Sequence, residues 1–161
     1  MGTSTFSQYT VVADVSVVAV NKTAKLEKVC LLGCGITTAW GAVVKQPGIS
    51  TSSQCFFLVL FVIFFLEDSS VAVFGCGAIG LGVISTSKLV GASRIIAIDT
   101  NPNKESVAKE FGATDFINPL QLPEGTRIQD HLVVITDGGL DFTFDCTGNV
   151  GSYRYCFVLF A

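Results

Sequence analysis

Charge is scarce in this chain of 161 residues: Asp, Glu, Lys and Arg together make up only 14%, with a net charge of -3. An acidic balance with so few cations leaves no basic footprint for nucleic acid or an anionic membrane. There is one histidine, one tryptophan, one methionine and four prolines. A single histidine excludes a His-rich metal cage. The six cysteines (Cys30, Cys34, Cys55, Cys76, Cys146, Cys156) include no C-x-x-C pair, and no secretory signal accompanies them. Reduced thiols in the cytoplasm are expected, not a disulfide framework. No apolar run approaches the roughly 20 residues needed to span a bilayer. The longest is the twelve-residue CFFLVLFVIFFL at 55–66, which reads as a buried strand or helix, or as a membrane-associated segment.

What the chain does have is glycine in a telling place. Residues 71–99 read VAVFGCGAIGLGVISTSKLVGASRIIAID: an apolar strand, a glycine turn, a helix of small residues and a second strand ending on an acid. Gly75, Gly77 and Gly80 match G-x-G-x-x-G, and Asp99 lies about 20 residues beyond, the spacing of a dinucleotide fingerprint. Gly75 permits the tight turn, Gly77 lets backbone approach a pyrophosphate, and Gly80 lets the helix pack closely. The helix N-terminus offers free N–H groups and a positive dipole end to phosphates. Asp99 would accept hydrogen bonds from the adenosine ribose hydroxyls and repel a 2′-phosphate, which favours NAD over NADP. Lys104 fits two readings, a contact at the outer edge of that ribose or a solvated lysine opening a surface helix.

The rhythm beyond the turn is strand and helix in alternation. Strands are expected at 71–74, 95–99, 115–117 and 142–145, and helices at 78–90, 104–111 and 128–135. This is an α/β fold, a partial doubly wound (Rossmann) parallel sheet in the order 3-2-1-4. Gly91 and Gly112 suit helix C-caps, and Asp137-Gly138-Gly139 a turn. Residues 6–20 are β-rich with partial alternation, and a helix is expected near 36–45.

At MGTSTFSQYTVVADVSVVAV, KVCLLGCGITT, VAVFGCGAIGLGVI, GASRIIAID, FGATDFINP and TDGGLDFTFDCTGNV the chain resembles zinc-dependent medium-chain alcohol dehydrogenases. It is most similar to their class III branch, the glutathione-dependent formaldehyde dehydrogenases. The resemblance implies oxidation of S-(hydroxymethyl)glutathione, and of alcohols, by NAD. It implies that Cys34 is a ligand of the catalytic zinc; read without the resemblance, Cys34 is a small buried hydrophobe. Alcohol dehydrogenase is itself the standard example of a zinc held by two cysteines and one histidine, so that ligand set comes from the family and not from these residues. By the same resemblance Thr38 lies near the nicotinamide, Ile79 packs on its ring, and Gly75, Gly77, Gly80, Asp99 and Lys104 contact NAD.

The resemblance also implies gaps. The family's other zinc ligands, its proton relay and its structural zinc site match nothing in this chain, and His131 falls on a surface helix. Ala39-Trp40 stands where the family has a smaller Gly-Tyr pair, which crowds the nicotinamide end. The expected organisation is a remnant of the catalytic domain with an interdomain helix at 1–47, an apolar insert at 48–70 of the kind a retained intron would encode, a partial NAD-binding domain at 71–150 and a divergent tail at 151–161. Such a fragment is expected to be inactive and to lack the family's homodimer contact, with a small molecule, neither nucleic acid nor membrane, as its ligand. A non-enzymatic NAD-binding remnant or interaction module is the alternative.

Overall fold

The structure, a computed structural model, describes residues 6–45, 68–149 and 151. Residues 48–67 of the expected insert lie outside the described residues, as does nearly all of the tail, whereas Ser70, expected as the insert's last residue, is the first residue of a strand. The chain divides into two compact units, Met1–Leu31 and Leu32–Ala161.

In the first unit the β-rich composition of residues 6–20 forms no strand. The described residues there hold only a 3-10 turn at Asp14–Ser16, and helix α1 follows at Leu26–Val29. Val11, Val15 and Val18 are all at least 87% exposed. Alternating β-branched residues favour a strand only when a neighbour supplies partners for the backbone and cover for one face, and no strand among the unit's described residues does so. Local bonds take over instead: Asp14 Oδ1 accepts the Val15 N–H at 2.8 Å, and Asn21 Oδ1 accepts the Thr23 N–H at 2.9 Å.

The second unit has the expected alternation. Helix α2 (Gly35–Lys45) precedes β1 (Ser70–Phe74), α3 (Ala78–Leu89), β2 (Arg94–Ile98), α4 (Lys104–Phe111), β3 (Asp115–Ile117), α5 (Ile128–Ile135) and β4 (Phe142–Asp145). The four strands are parallel in the order β3-β2-β1-β4, with Val73 opposite Ala97 and Phe74 opposite Asp145. The two central strands are apolar at almost every position because both sheet faces are covered. Val71, Val73, Ile95 and Ala97 pack beneath α2, α3 and Ala108 of α4, whereas Ala72, Phe74, Ile96 and Ile98 face Ile128 and Leu132 of α5. Period-two alternation thus sorts one apolar run onto two helical layers.

Small residues set how closely the helices approach. A Cβ on Gly82 of α3 would stand 2.6 Å from the Ala39 Cβ of α2, so an apolar face of α2, with Ala39, Val43 and Val44 buried, is committed to this core. Gly112 (φ +118) closes α4, its N–H donating to the Ala108 and Lys109 carbonyls.

Two polar ties fix the strands around the future site. Asp141 Oδ2 accepts both the N–H and the hydroxyl of Ser70 at 2.7 Å, joining β4 to β1. The Ser70 backbone bond leads the causes that hold the Asp141 carboxyl below the usual carboxylate range. Arg94 Nε donates to Asp115 Oδ2 at 3.1 Å, and Arg94 Nη1 donates to the Ile135 carbonyl, tying β2 to β3 and to the end of α5. Burial works to raise the Asp115 carboxyl, but hydrogen bonds from Arg94 and Thr114 outweigh it and hold it low.

Candidate functional site

The sheet order places the carboxyl end of β1 between those of β2 and β4, where successive connections leave in opposite directions. That geometry opens a crevice at the strand ends, the general ligand position in doubly wound sheets. The turn that leaves β1 is built from glycines with separate tasks. Gly75 has a φ of +88 and continues the ladder, its N–H donating to the Ile98 carbonyl at 2.8 Å. A Cβ there would meet the Cys146 carbonyl carbon and oxygen at 3.0 Å.

Gly80 is the most constrained of the three. A Cβ on it would stand 1.8 Å from the Gly75 carbonyl oxygen, so the first turn of α3 lies directly against the turn that precedes it. Gly77 is the opposite case: it occupies the N-cap of α3 and a Cβ on it would meet nothing within 4 Å. It supplies no side-chain cap, so the first N–H groups of α3 take no hydrogen bond from that position, and the positive end of the helix dipole lies behind them.

Asp99 lies one residue beyond β2. Its Oδ2 accepts the Cys76 N–H at 2.8 Å and its Oδ1 accepts the Asn101 N–H at 2.9 Å. A carboxylate has about four lone-pair positions, so acceptor capacity remains for ligand hydroxyls. Beside these groups a cleft of about 420 Å³ is walled by Phe74, Ile98, Pro119 and Ile128 and edged by Gly75, Asp99, Thr100, Cys146, Thr147 and Asn149. An apolar slot with a few polar groups at its rim suits a planar heterocycle carried on a sugar.

Thr147 and Asn149 are absent from the residues expected on sequence grounds, although they stand in the cleft. The available signal was topological: in the order 3-2-1-4 the end of β4 must adjoin the β1 turn. Their loop holds its own shape. Asp145 Oδ1 accepts from the Thr147 N–H and hydroxyl at 2.9 and 2.7 Å, and Thr147 Oγ1 accepts the Asn149 N–H at 3.0 Å.

Neither Cys146 at the cleft's edge nor Cys76 in the glycine turn offers a nucleophile. Burial, with Asp99 nearby, pushes the Cys76 thiol up to about 11, and burial, with Asp145, does the same to Cys146. Both stay protonated near neutral pH.

The other expected residues fall outside the cleft. Lys104 is half-buried at the first position of α4, its N–H donating to the Asn101 carbonyl at 3.1 Å. Ile79 is half-buried against the core that α2 and α3 share. Thr38 and Cys34 are exposed, and so is Trp40. The Cys34 carbonyl accepts the Thr38 N–H at 2.8 Å and the Thr37 hydroxyl at 3.1 Å.

Nothing around Cys34 completes a metal site. Among the described residues no group of three or more His, Cys, Asp or Glu side chains could hold an ion. His131, half-buried on α5, belongs to the opposite face of the sheet from α2. The donor set of the described residues therefore does not fit a catalytic zinc, which takes three protein ligands. The glycine turn and Asp99 do fit a dinucleotide: the close approach at Gly80 and the open approach at Gly77 are what a pyrophosphate turn requires.

Comparison with known proteins agrees with this geometry. The profile of a family described as zinc-binding dehydrogenase matches residues 78–159. The S-(hydroxymethyl)glutathione dehydrogenase of Saccharomyces cerevisiae is 52% identical over 155 residues, which cover 96% of this chain and 36% of that protein. The class-3 alcohol dehydrogenase of Drosophila melanogaster is 47% identical, with the same shares covered. The chain thus spans 36% of the length of these curated relatives. Among solved structures, benzyl alcohol dehydrogenase from Acinetobacter calcoaceticus aligns with a TM-score of 0.69 at 29% identity, covering 89% of this chain and 34% of that one. An alcohol dehydrogenase zinc-binding domain protein from Burkholderia ambifaria has the same TM-score at 31% identity, covering 88% and 33%.

Proposed function

This chain belongs to the zinc-binding dehydrogenase family, and we propose that its second unit binds NAD through the adenosine half of the cofactor, as part of the class III alcohol dehydrogenase lineage. The reaction proposed for that lineage is NAD-dependent oxidation of S-(hydroxymethyl)glutathione and of alcohols. For the 161-residue chain itself the proposal is nucleotide binding without turnover, which makes it an NAD-binding module.

The observation that carries this reading is the pair of contrasting glycines. Gly80 has no room for a side chain because α3 meets the turn, while Gly77 has open space because something else approaches there. Phosphates would take the free N–H groups at the start of α3. Asp99 would accept the ribose hydroxyls, with Lys104 at the ribose edge, and the wall of Ile98 and Ile128 would cover the adenine. NAD, when bound, supplies a hydride acceptor; this chain's residues supply its binding and orientation. Thr38 and Ile79 are proposed neighbours of the nicotinamide, and Cys34 the proposed trace of a zinc ligand.

The same reading extends to organisation. Residues 1–47 are proposed to derive from the catalytic domain and interdomain helix, the stretch from 48 up to the start of β1 to be an insert, and the chain from β1 to residue 150 to be the partial cofactor domain. The cytoplasm is the proposed location, and a small molecule the proposed ligand.

Calorimetry on Asp99→Ala tests the assignment. Losing charge-assisted hydrogen bonds to ribose should weaken NAD binding by about 1 to 3 kcal/mol, and the parent chain should bind NADP more weakly than NAD. Equal NAD affinity in parent and variant would reject the role given to Asp99.

A further inference from the structure

Cys76 sits at the centre of the glycine turn, and its backbone N–H is the first beyond the ladder of β1. The preceding amide, Gly75 N–H, still donates to a strand carbonyl, that of Ile98 at 2.8 Å. The Cys76 amide instead donates 23 residues along the chain to Asp99 Oδ2 at 2.8 Å, in a partly buried setting. The same carboxylate is held by a second amide, Asn101 N–H at 2.9 Å, and the Asp99 N–H donates to the Ile117 carbonyl at 3.2 Å. Asp99 is therefore fixed to β3 and to the loop before α4, and the glycine turn is fixed to Asp99.

We propose that Asp99 is a positioning residue for the glycine turn: by accepting the Cys76 N–H, its carboxylate holds residues 75–77 in the shape that receives a diphosphate, independently of any contact with ribose. The proposal rests on the NAD-binding reading and deepens it by giving one carboxylate two tasks. The physical need is plain. Gly75 and Gly77 are freely rotating positions, and a turn made of them loses much conformational entropy when it is ordered for a ligand. A charged acceptor outside the turn meets that cost before the ligand arrives, because hydrogen bonds to ionised groups are the stronger kind. Without Asp99 the Cys76 amide is a partly buried donor with no acceptor, and the turn has reason to rearrange.

Two measurements on the full 161-residue chain test this. The first is amide hydrogen exchange of the unliganded parent, which requires no variant: the Cys76 amide should be protected, with protection retained in Asp99→Asn, whose side-chain oxygen still accepts, and lowered roughly tenfold in Asp99→Ala. An unprotected Cys76 amide in the folded parent overturns the proposal even if Asp99→Ala fails to fold. The second uses 2′,3′-dideoxyadenosine diphosphate, which keeps adenine and the diphosphate but has no ribose hydroxyls. Its affinity should fall roughly tenfold in Asp99→Ala and stay within roughly threefold of the parent in Asp99→Asn. Equal affinity of the parent and Asp99→Ala for this probe would leave ribose contact as the whole role of Asp99 and overturn the clamp. Failure of the parent to bind ADP itself would reject the NAD-binding reading, while protection of the Cys76 amide would still decide the clamp.

Discussion

Replacing Gly80 with alanine is expected to destabilise the second unit by about 3 kcal/mol, the upper part of the usual range for an inserted methyl group in a packed site. The added Cβ would stand 1.8 Å from the Gly75 carbonyl oxygen, and that atom cannot swing aside like the end of a flexible side chain. Either the first turn of α3 lifts from β1 or the glycine turn changes shape. For a unit of this size the midpoint of thermal unfolding should fall by roughly 6 to 12 °C. The matched control is Gly77→Ala. A Cβ there meets nothing within 4 Å and φ is an ordinary -81, so stability should change by less than about 1 kcal/mol. Nucleotide affinity should nevertheless drop, because the methyl group occupies the approach to the first N–H groups of α3. Thermal melts of the two variants side by side decide it: similar melting points for Gly80→Ala and the parent would refute the close packing assigned to the turn.

The second large effect is an absence of chemistry. The 161-residue chain is expected to purify without stoichiometric zinc and to produce no NADH from S-(hydroxymethyl)glutathione. A catalytic zinc needs three protein ligands to stay bound and to keep its fourth position open. Cys34 is one exposed thiol, and among the described residues no group of three or more His, Cys, Asp or Glu side chains could hold the ion. Supplying the family's other ligands and the rest of the cofactor domain, with residues 50–66 deleted, should restore both metal and turnover. Cys34→Ala in that restored protein should then remove both. Metal analysis alongside NADH absorbance is the readout, and zinc-dependent turnover by the chain as it stands would overturn the account.

Much of the second unit was legible because its signals are local. Residues 71–74 and 95–98 are continuous apolar runs, as strands buried on both faces must be, and Gly112 marks the end of α4 because only glycine sits easily at a φ of +118. The three glycines of the turn were legible from their spacing, although only Gly75 has a positive φ. The β-rich residues 6–20 of the first unit form no strand because alternation records a tendency, and a strand also needs a partner. Thr147 and Asn149 were missed because nothing in CTGNV marks a ligand contact; only the sheet order carries the end of β4 to the cleft. The Cys76–Asp99 bond had no signature at all. Its donor is a backbone amide, identical in every residue but proline, and its length depends on where two strands end relative to each other.

A calorimetric titration of the folded 161-residue chain with ADP bears most directly on the central claim, since ADP contains every group assigned to the turn, Asp99 and the cleft but lacks the nicotinamide. Saturable binding of one ADP per chain, abolished by excess NAD, is the predicted result. A chain that is folded by circular dichroism yet binds neither ADP nor NAD would contradict it.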